Sequence, residues 1–335
     1  MGKAQKGKRR TSIILVTLAY ALFTLAGALL AAPIVQSINS QSTPRLSPDQ
    51  SQCDDEPPSV ESAIEPEAFS RVDYRQSEEL ARARQIILEG MQACEETIDV
   101  SSAGLQRDMV ADVYHSILDE EPSTWHVSGT GHFVSDSEGR VLQVSPQYLS
   151  TDAEQINLMR ERYEEAMAEL LASVPDQATD IEKVRHAHDW IIDGCSYNNE
   201  CSANPESYCV TIDDNPYGAY SAMVQDKTVC RGYALAFKDA CRRMGIECEV
   251  ARTLPHEWNK VRLDGRWYNI DLTFDDRSRP VHNYDLFLKS DAYIREYDLA
   301  YTHDAPHIGA FPPGYECEDT SLDDARSTIL MLLSQ

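Results

Sequence analysis

Three side chains suited to acyl-transfer chemistry, Cys230, His256 and Asp271, fall within residues 228–276. A thiol becomes a nucleophile only as the thiolate, and a helix start or a neighbouring imidazolium favours that form. A histidine can take and return a proton if its tautomer is fixed, which a carboxylate on its other ring nitrogen achieves. Together the three could attack an amide carbonyl, protonate the departing amine and leave an acyl-enzyme. Taken singly, a cysteine is more often a small buried hydrophobe, and a strand histidine or aspartate is more often structural. The case therefore rests on whether local structure brings them together.

Ala234, Phe237, Ala240, Cys241 and Met244 recur at helical spacing. Thr228 fits an N-cap and Gly245 a C-terminal stop, so Cys230 falls in the first turn. The backbone N–H of Cys230 then points out of the helix start as an oxyanion donor. Tyr220, upstream, is a candidate second donor. Gly232 permits close approach of backbone or substrate. Asp264-Gly265 predicts a two-residue hairpin turn. Pairing Leu263 with Arg266 sets Trp258 opposite Asp271 and His256 opposite Thr273. His256 and Asp271 then share one face as diagonal neighbours, roughly 7 Å apart. Val261, Leu263, Tyr268, Ile270 and Leu272 take the other, core-facing side. Trp258 and Trp267 read as packing residues, with Trp258 also a candidate shield of the site from water.

The segments Val229-Cys230-Arg231-Gly232-Tyr233-Ala234, His256-Glu257-Trp258-Asn259 and Trp267-Tyr268-Asn269-Ile270-Asp271-Leu272-Thr273 occur in this order. Together they closely resemble motifs of the bacterial branch of the transglutaminase-like superfamily. Ala219-Tyr220-Ser221-Ala222-Met223-Val224 resembles an upstream family segment, and Glu182-Lys183 with His188-Asp189 another. The resemblance covers residues 181–294. It implies a papain-like α+β core in which a nucleophile-bearing helix packs on an antiparallel sheet carrying the histidine and aspartate. It also implies that Cys230, His256 and Asp271 form a triad needing no cofactor or metal. Departures are Glu257 where alanine is common, Phe274 where tryptophan is common and Ser221 where glycine is usual. None removes a catalytic group.

Around this core, the 335-residue chain carries a net charge of −25. That balance argues against nucleic acid as a partner, since phosphates would be repelled. Residues 1–10 are basic. Residues 13–35 are almost continuously apolar, longer than the roughly 7–15 residues of a secretory signal and near the roughly 20 that span a bilayer. The expectation is a single N-terminal transmembrane signal-anchor at residues 11–35, basic end inside, with the remainder outside at the cell membrane. Cleavage near Ala31-Ala32 is the alternative.

Residues 36–70 read as a flexible spacer, 71–150 as a variable α/β region, 151–310 as the catalytic domain and 311–335 as a tail. Within the variable region, helices are expected over 77–94 and 104–118, and a hairpin over 125–144. A long helix over 151–174 and a capping box at Thr179–Glu182 follow. His186 and His188 do not share a helix face and read as structural or surface residues.

Nine cysteines are present. Outside a cell they would meet oxidising conditions. Setting Cys230 aside leaves eight, which allow on the order of a hundred pairings. One local bridge is expected among Cys195, Cys201 and Cys209, with zinc as a rival for that cluster that the spacing disfavours. Cys241 and Cys248 could pair or remain buried thiols. The acidic residues form no recognisable calcium loop.

The sequence therefore points to an exported, membrane-anchored cysteine enzyme. It would act on peptide or protein amides at the cell envelope, with water or an amine as acyl acceptor. The alternative is a surface scaffold or adhesion module with an idle triad.

Overall fold

Ser77 opens the first helix, α1 (Glu78–Gln92), by accepting the Leu80 N–H at 3.3 Å, with Glu78 and Glu79 in the first turn. Both features suit the positive end of the helix dipole. After the short strand β1 (Ile98–Asp99) comes α2 (Arg107–Glu120), whose Val110, Val113, Tyr114 and Ile117 are buried. Strands β2 (Val127–Ser135) and β3 (Val141–Tyr148) complete an antiparallel sheet of order β1-β3-β2. The predicted hairpin is therefore present, with Gly139 at φ 82° in its turn, but β3 runs on to Tyr148. Ile87, Met91, Ile98, Tyr114 and Val144 fill the core of this layer.

The second layer begins with α3 (Ala153–Ser173), capped by Asp152, and α4 (Asp180–Gly194), opened by the predicted capping box of Thr179 and Glu182. Then follow β4 (Ser196–Tyr197), α5 (Asn199–Ala203), α6 (Ala219–Met223) and β5 (Lys227–Thr228), with β4 and β5 parallel. Helix α7 (Cys230–Arg243) is buried almost all round, through Tyr233, Ala234, Leu235, Ala236, Phe237, Ala240 and Cys241. Such a helix is a central core element. Gly245, at φ 78°, ends it. The N-cap is Val229 and not Thr228: the Thr228 hydroxyl instead donates to Pro216 O at 2.8 Å.

Packed on α7 is a four-stranded antiparallel sheet of order β6-β7-β8-β9, from β6 (Glu247–Arg252), β7 (Glu257–Leu263), β8 (Arg266–Ile270) and β9 (Phe287–Lys289). Between β8 and β9 lies one helical turn, α8 (Leu272–Asp275), and α9 (Asp291–Tyr301) follows. Asp264 (φ 49°) and Gly265 (φ 78°) make the predicted turn, and Leu263 pairs with Arg266. The predicted register holds through Asn259 opposite Ile270. There β8 stops, because Asp271 leaves the ladder to cap α8. Val261, Leu263, Tyr268, Ile270 and Leu272 all lie in the core, as their alternation requires.

These elements come from a computed structural model that describes residues 77–203, 205, 210–253, 256–276, 284–301 and 314–324. The apolar run at residues 13–35, the spacer at 36–70, Cys53 and Cys209 lie outside them. Among the described residues, no helix is long and apolar enough to cross a membrane. The disulfide expectation is corrected among them: Cys94, Cys195, Cys201, Cys230, Cys241, Cys248 and Cys317 are thiols. Burial pushes the Cys241 thiol well up, with the Cys248 hydrogen bond adding to the shift.

Candidate active site

Cys230 is the first residue of α7, half-buried, where the Val229 N-cap supplies no side-chain hydrogen bond. No cap oxygen competes for the first-turn N–H groups, and the dipole favours negative charge there. Gly232 is required by packing. A Cβ at that position would lie 1.9 Å from Thr228 Oγ1 and 2.9 Å from Gly218 O. The neighbour that Gly232 admits is thus this chain's own backbone and Thr228.

His256 precedes β7 and Asp271 follows β8, and both are buried. His256 Nε2 donates to Asp271 Oδ2 at 2.6 Å. The other ring nitrogen is left for the Cys230 thiol, with which the imidazole also hydrogen-bonds. Burial by itself would lower the His256 pKa. The charge and hydrogen bond of Asp271, with that of Cys230, overcome it and raise the pKa to about 10. Asp271 Oδ1 accepts the Phe274 N–H at 3.1 Å, capping α8 with the oxygen His256 does not use. Asp271 N–H is itself held by Leu286 O at 3.0 Å.

Two aromatic rings flank the imidazole. Trp258 stacks on it at 6.1 Å and 9°, and Phe274 meets it edge-on at 5.2 Å and 74°. Trp258 Nε1 donates to Asn269 Oδ1 at 2.9 Å, and Asn269 Nδ2 donates to Asp291 Oδ1 at 2.8 Å. The shield expected of Trp258 is therefore a fixed wall. Tyr220 lies buried in α6, its ring 5.1 Å from Trp125. That contact places it in the core beside the first layer. Tyr217 has its hydroxyl beside a thiol: Cys201 Sγ donates to its Oη at 3.2 Å, and it feels the charge of Cys230.

Three supports depend on partners that sequence reasoning did not name. Asn259 Nδ2 donates to Ala234 O at 3.0 Å, tying the strand after His256 to the helix of Cys230. The residues next to the pair are also bridged. Arg231 Nη2 lies 3.2 Å from Asp119 Oδ1, Arg252 also pairs with Asp119, and Arg252 Nε lies 3.3 Å from Glu257 Oε1. Glu257 thus points to the core side, as its strand position predicts.

The third support is His188, which is buried and structural. Its Nδ1 donates to Asp189 Oδ1 at 2.9 Å and its Nε2 to Asp275 Oδ2 at 3.1 Å. Burial would lower the His188 pKa, but the two carboxylates lift it to about 9. Burial pushes Asp275 up to about 6 against the hydrogen bond from His188. Near neutral pH the proton belongs on the imidazole, which two carboxylates share. His186 meets Ser173 Oγ at 2.7 Å in an exposed pair. Among the described residues, no group of three or more His, Cys, Asp or Glu side chains could hold a metal ion.

A half-buried cysteine at a helix start, bonded to an imidazole that a buried carboxylate holds, has the layout of a cysteine-enzyme site on an α+β fold. Residues 168–272 match the model of the transglutaminase-like superfamily, and the chain carries a domain of that family. The kyphoscoliosis peptidases of Mus musculus and Homo sapiens are similar to it, at 27% and 28% identity over 123 residues. Each match covers 32% of this chain, which spans only 18% of either relative's length. The family-model match of residues 168–272 does not separate a bacterial branch of the superfamily.

Among solved structures, a TGase aligns over 50% of this chain and 48% of its own, at 12% identity and a TM-score of 0.31. A protein of Cytophaga hutchinsonii described as a candidate cysteine protease aligns over 43% of this chain and 61% of its own. Its identity is 14% and its TM-score 0.25.

Proposed function

We propose that this chain is a cysteine enzyme that cleaves or transfers peptide or protein amides through an acyl-enzyme. The carrying observation is the contact of His256 with both Asp271, at 2.6 Å, and Cys230. In this reading the Cys230 thiolate adds to the amide carbonyl, and the resulting oxyanion is held by the Cys230 backbone N–H at the helix start. His256 gives its proton to the departing amine, the C–N bond breaks and a thioester remains. An incoming nucleophile gives its proton to His256 and releases the acyl group. Asp271 keeps the imidazole in one tautomer throughout. The peptidase name of the curated relatives favours water as the acceptor. The basic residues 1–10 and the apolar run at 13–35 support attachment to a membrane, with the catalytic domain outside the cell.

Iodoacetamide labelling of Cys230 from about pH 5 to about pH 9, read by peptide mass spectrometry, tests the pair. The reading expects fast labelling below pH 7 that slows in His256→Ala. Labelling like an ordinary thiol, with a pKa of about 8.5 and indifference to His256, overturns it and leaves a scaffold with an idle triad.

A further inference from the structure

A cavity of about 560 Å³ opens between the first layer and the start of α7. That volume lies in the range of ligand-binding pockets. On the α7 side it is lined by Arg231, the residue after Cys230, with Leu235 one turn on and Tyr217 beside them. Arg231 follows Cys230 directly in α7, so the cavity lies beside the start of the helix that carries the nucleophile.

The opposite wall is an edge strand. In the three-stranded sheet β2 pairs only with β3. Its register shifts between Val127, opposite Tyr148, and Gly131, opposite Pro146, so residues 128–130 have no cross-strand partner in the ladder. All three line the cavity. Tyr114 holds the bulge by donating to Thr130 O at 2.7 Å, and Thr130 N–H donates to Ser128 Oγ at 3.3 Å, which leaves residues 128 and 129 to offer the edge. Across the opening, Asn215 Nδ2 donates to Trp125 O at 2.7 Å, fixing the loop that carries Tyr217 to the first layer. An edge with unladdered backbone is a ready template for an added extended chain.

Among the described residues Arg231 is the one charged side chain lining the cavity, and it is already partnered, with Nη2 3.2 Å from Asp119 Oδ1 and donating to Leu118 O. An uncharged occupant therefore suits the lining.

We propose that this cavity binds an extended, uncharged stretch of the polypeptide substrate, laid along the bulge of β2 at residues 128–130. The assignment rests on the reading of Cys230 as nucleophile, and names the first layer as part of the substrate site. Recognition is through main chain on one wall and apolar contact with Trp125 and Leu235 on the other, so it tolerates varied sequence.

The test compares alkylation of Cys230 in the full chain by iodoacetamide and by iodoacetyl pentapeptides. The peptides are random mixtures of Ala, Val, Ser, Thr and Gln, with the reactive group at either end. The peptide reagents should react at least tenfold faster at matched concentration, and saturably. A side chain on Gly129 would meet nothing within 4 Å, so Gly129→Phe sets a bulky group at the cavity wall without a backbone clash. In that variant, with folding checked by circular dichroism, the peptide-to-iodoacetamide ratio should fall towards one. Equal rates for both reagents, or a ratio untouched by Gly129→Phe, would overturn the peptide site while leaving the reactive thiol standing. Failure of iodoacetamide itself to label Cys230 would sink the catalytic reading and this one with it.

Discussion

His188 Nε2 lies 3.1 Å from Asp275 Oδ2, and both side chains are buried. Asp275 is the last residue of α8, whose N-cap is Asp271. Helix α4 therefore holds, through His188, the one turn that aims Asp271 at His256. The His188 pKa is raised in the fold, to about 9. The sign follows: its contribution to stability is complete below the unfolded value near 6.5 and is lost as pH rises through about 9. Urea midpoints measured from pH 6 to about pH 9.5 should fall, and His188→Gln should flatten that fall. His256 titrates higher still, so the difference between the two proteins isolates His188. Breaking the buried pair with His188→Ala should cost about 3–5 kcal/mol.

Asp271 carries two duties on separate oxygens, and substitution can separate them. Asparagine still caps a helix but cannot hold the imidazole in the productive tautomer. Asp271→Asn should lower the unfolding midpoint, because the buried His256 loses the carboxylate that raises its pKa, while amide turnover drops on the order of 10²–10⁴-fold. Asp271→Ala should lose the turnover and about 1 kcal/mol more stability than Asp271→Asn, from the missing cap. Rates on an amide substrate alongside thermal melts check both. An Asp271→Asn protein with parental turnover would remove Asp271 from the chemistry.

Much of this site is legible in the chain. The Asp264-Gly265 turn and the apolar alternation on both sides of it fix the register, and with it the face of His256. Helical spacing after Val229 places Cys230 in a first turn. What local pattern does not carry is anything decided by distant partners. Thr228 looks like a cap until Pro216 O claims its hydroxyl. Asp271 looks like a strand residue until the chain turns into α8. The buried role of His188 depends on Asp275, far along the sequence, and the place of Tyr217 beside a thiol depends on Cys201. The cysteines mislead for a related reason. Composition fixes how many could pair, and only the packing fixes which lie within reach.

Asp119 links the carriers of nucleophile and base across the first layer, accepting from both Arg231 and Arg252. Its side chain is 20% exposed, so the pairing is worth about 1 kcal/mol and is weakened by salt. Asp119→Ala should slow Cys230 labelling severalfold and make it less sensitive to ionic strength, with a small change in melting temperature. A double-mutant cycle with Arg252→Ala on the labelling rate should show coupling. Additive effects would mean that Asp119 acts only on its own layer.

Gly232 gives the sharpest steric prediction. The helix start is pressed against the 216–218 loop so closely that even a methyl group has no room. A Cβ would sit 1.9 Å from Thr228 Oγ1 and 3.0 Å from Pro216 O. Thr228 cannot swing away freely, since its hydroxyl donates to Pro216 O at 2.8 Å and meets Ser221 Oγ at 2.7 Å. Gly232→Ala should therefore push α7 off the loop, at a cost of about 1–3 kcal/mol. Because Cys230 lies two residues away, its contact with His256 should loosen as well. The expected result is a lower unfolding midpoint together with Cys230 labelling that no longer responds to His256→Ala. Adding Thr228→Ala removes the nearer obstacle but not the carbonyls, so it should restore only part of the stability. A Gly232→Ala protein with parental stability and labelling would show that the loop yields, and that glycine here serves something other than packing.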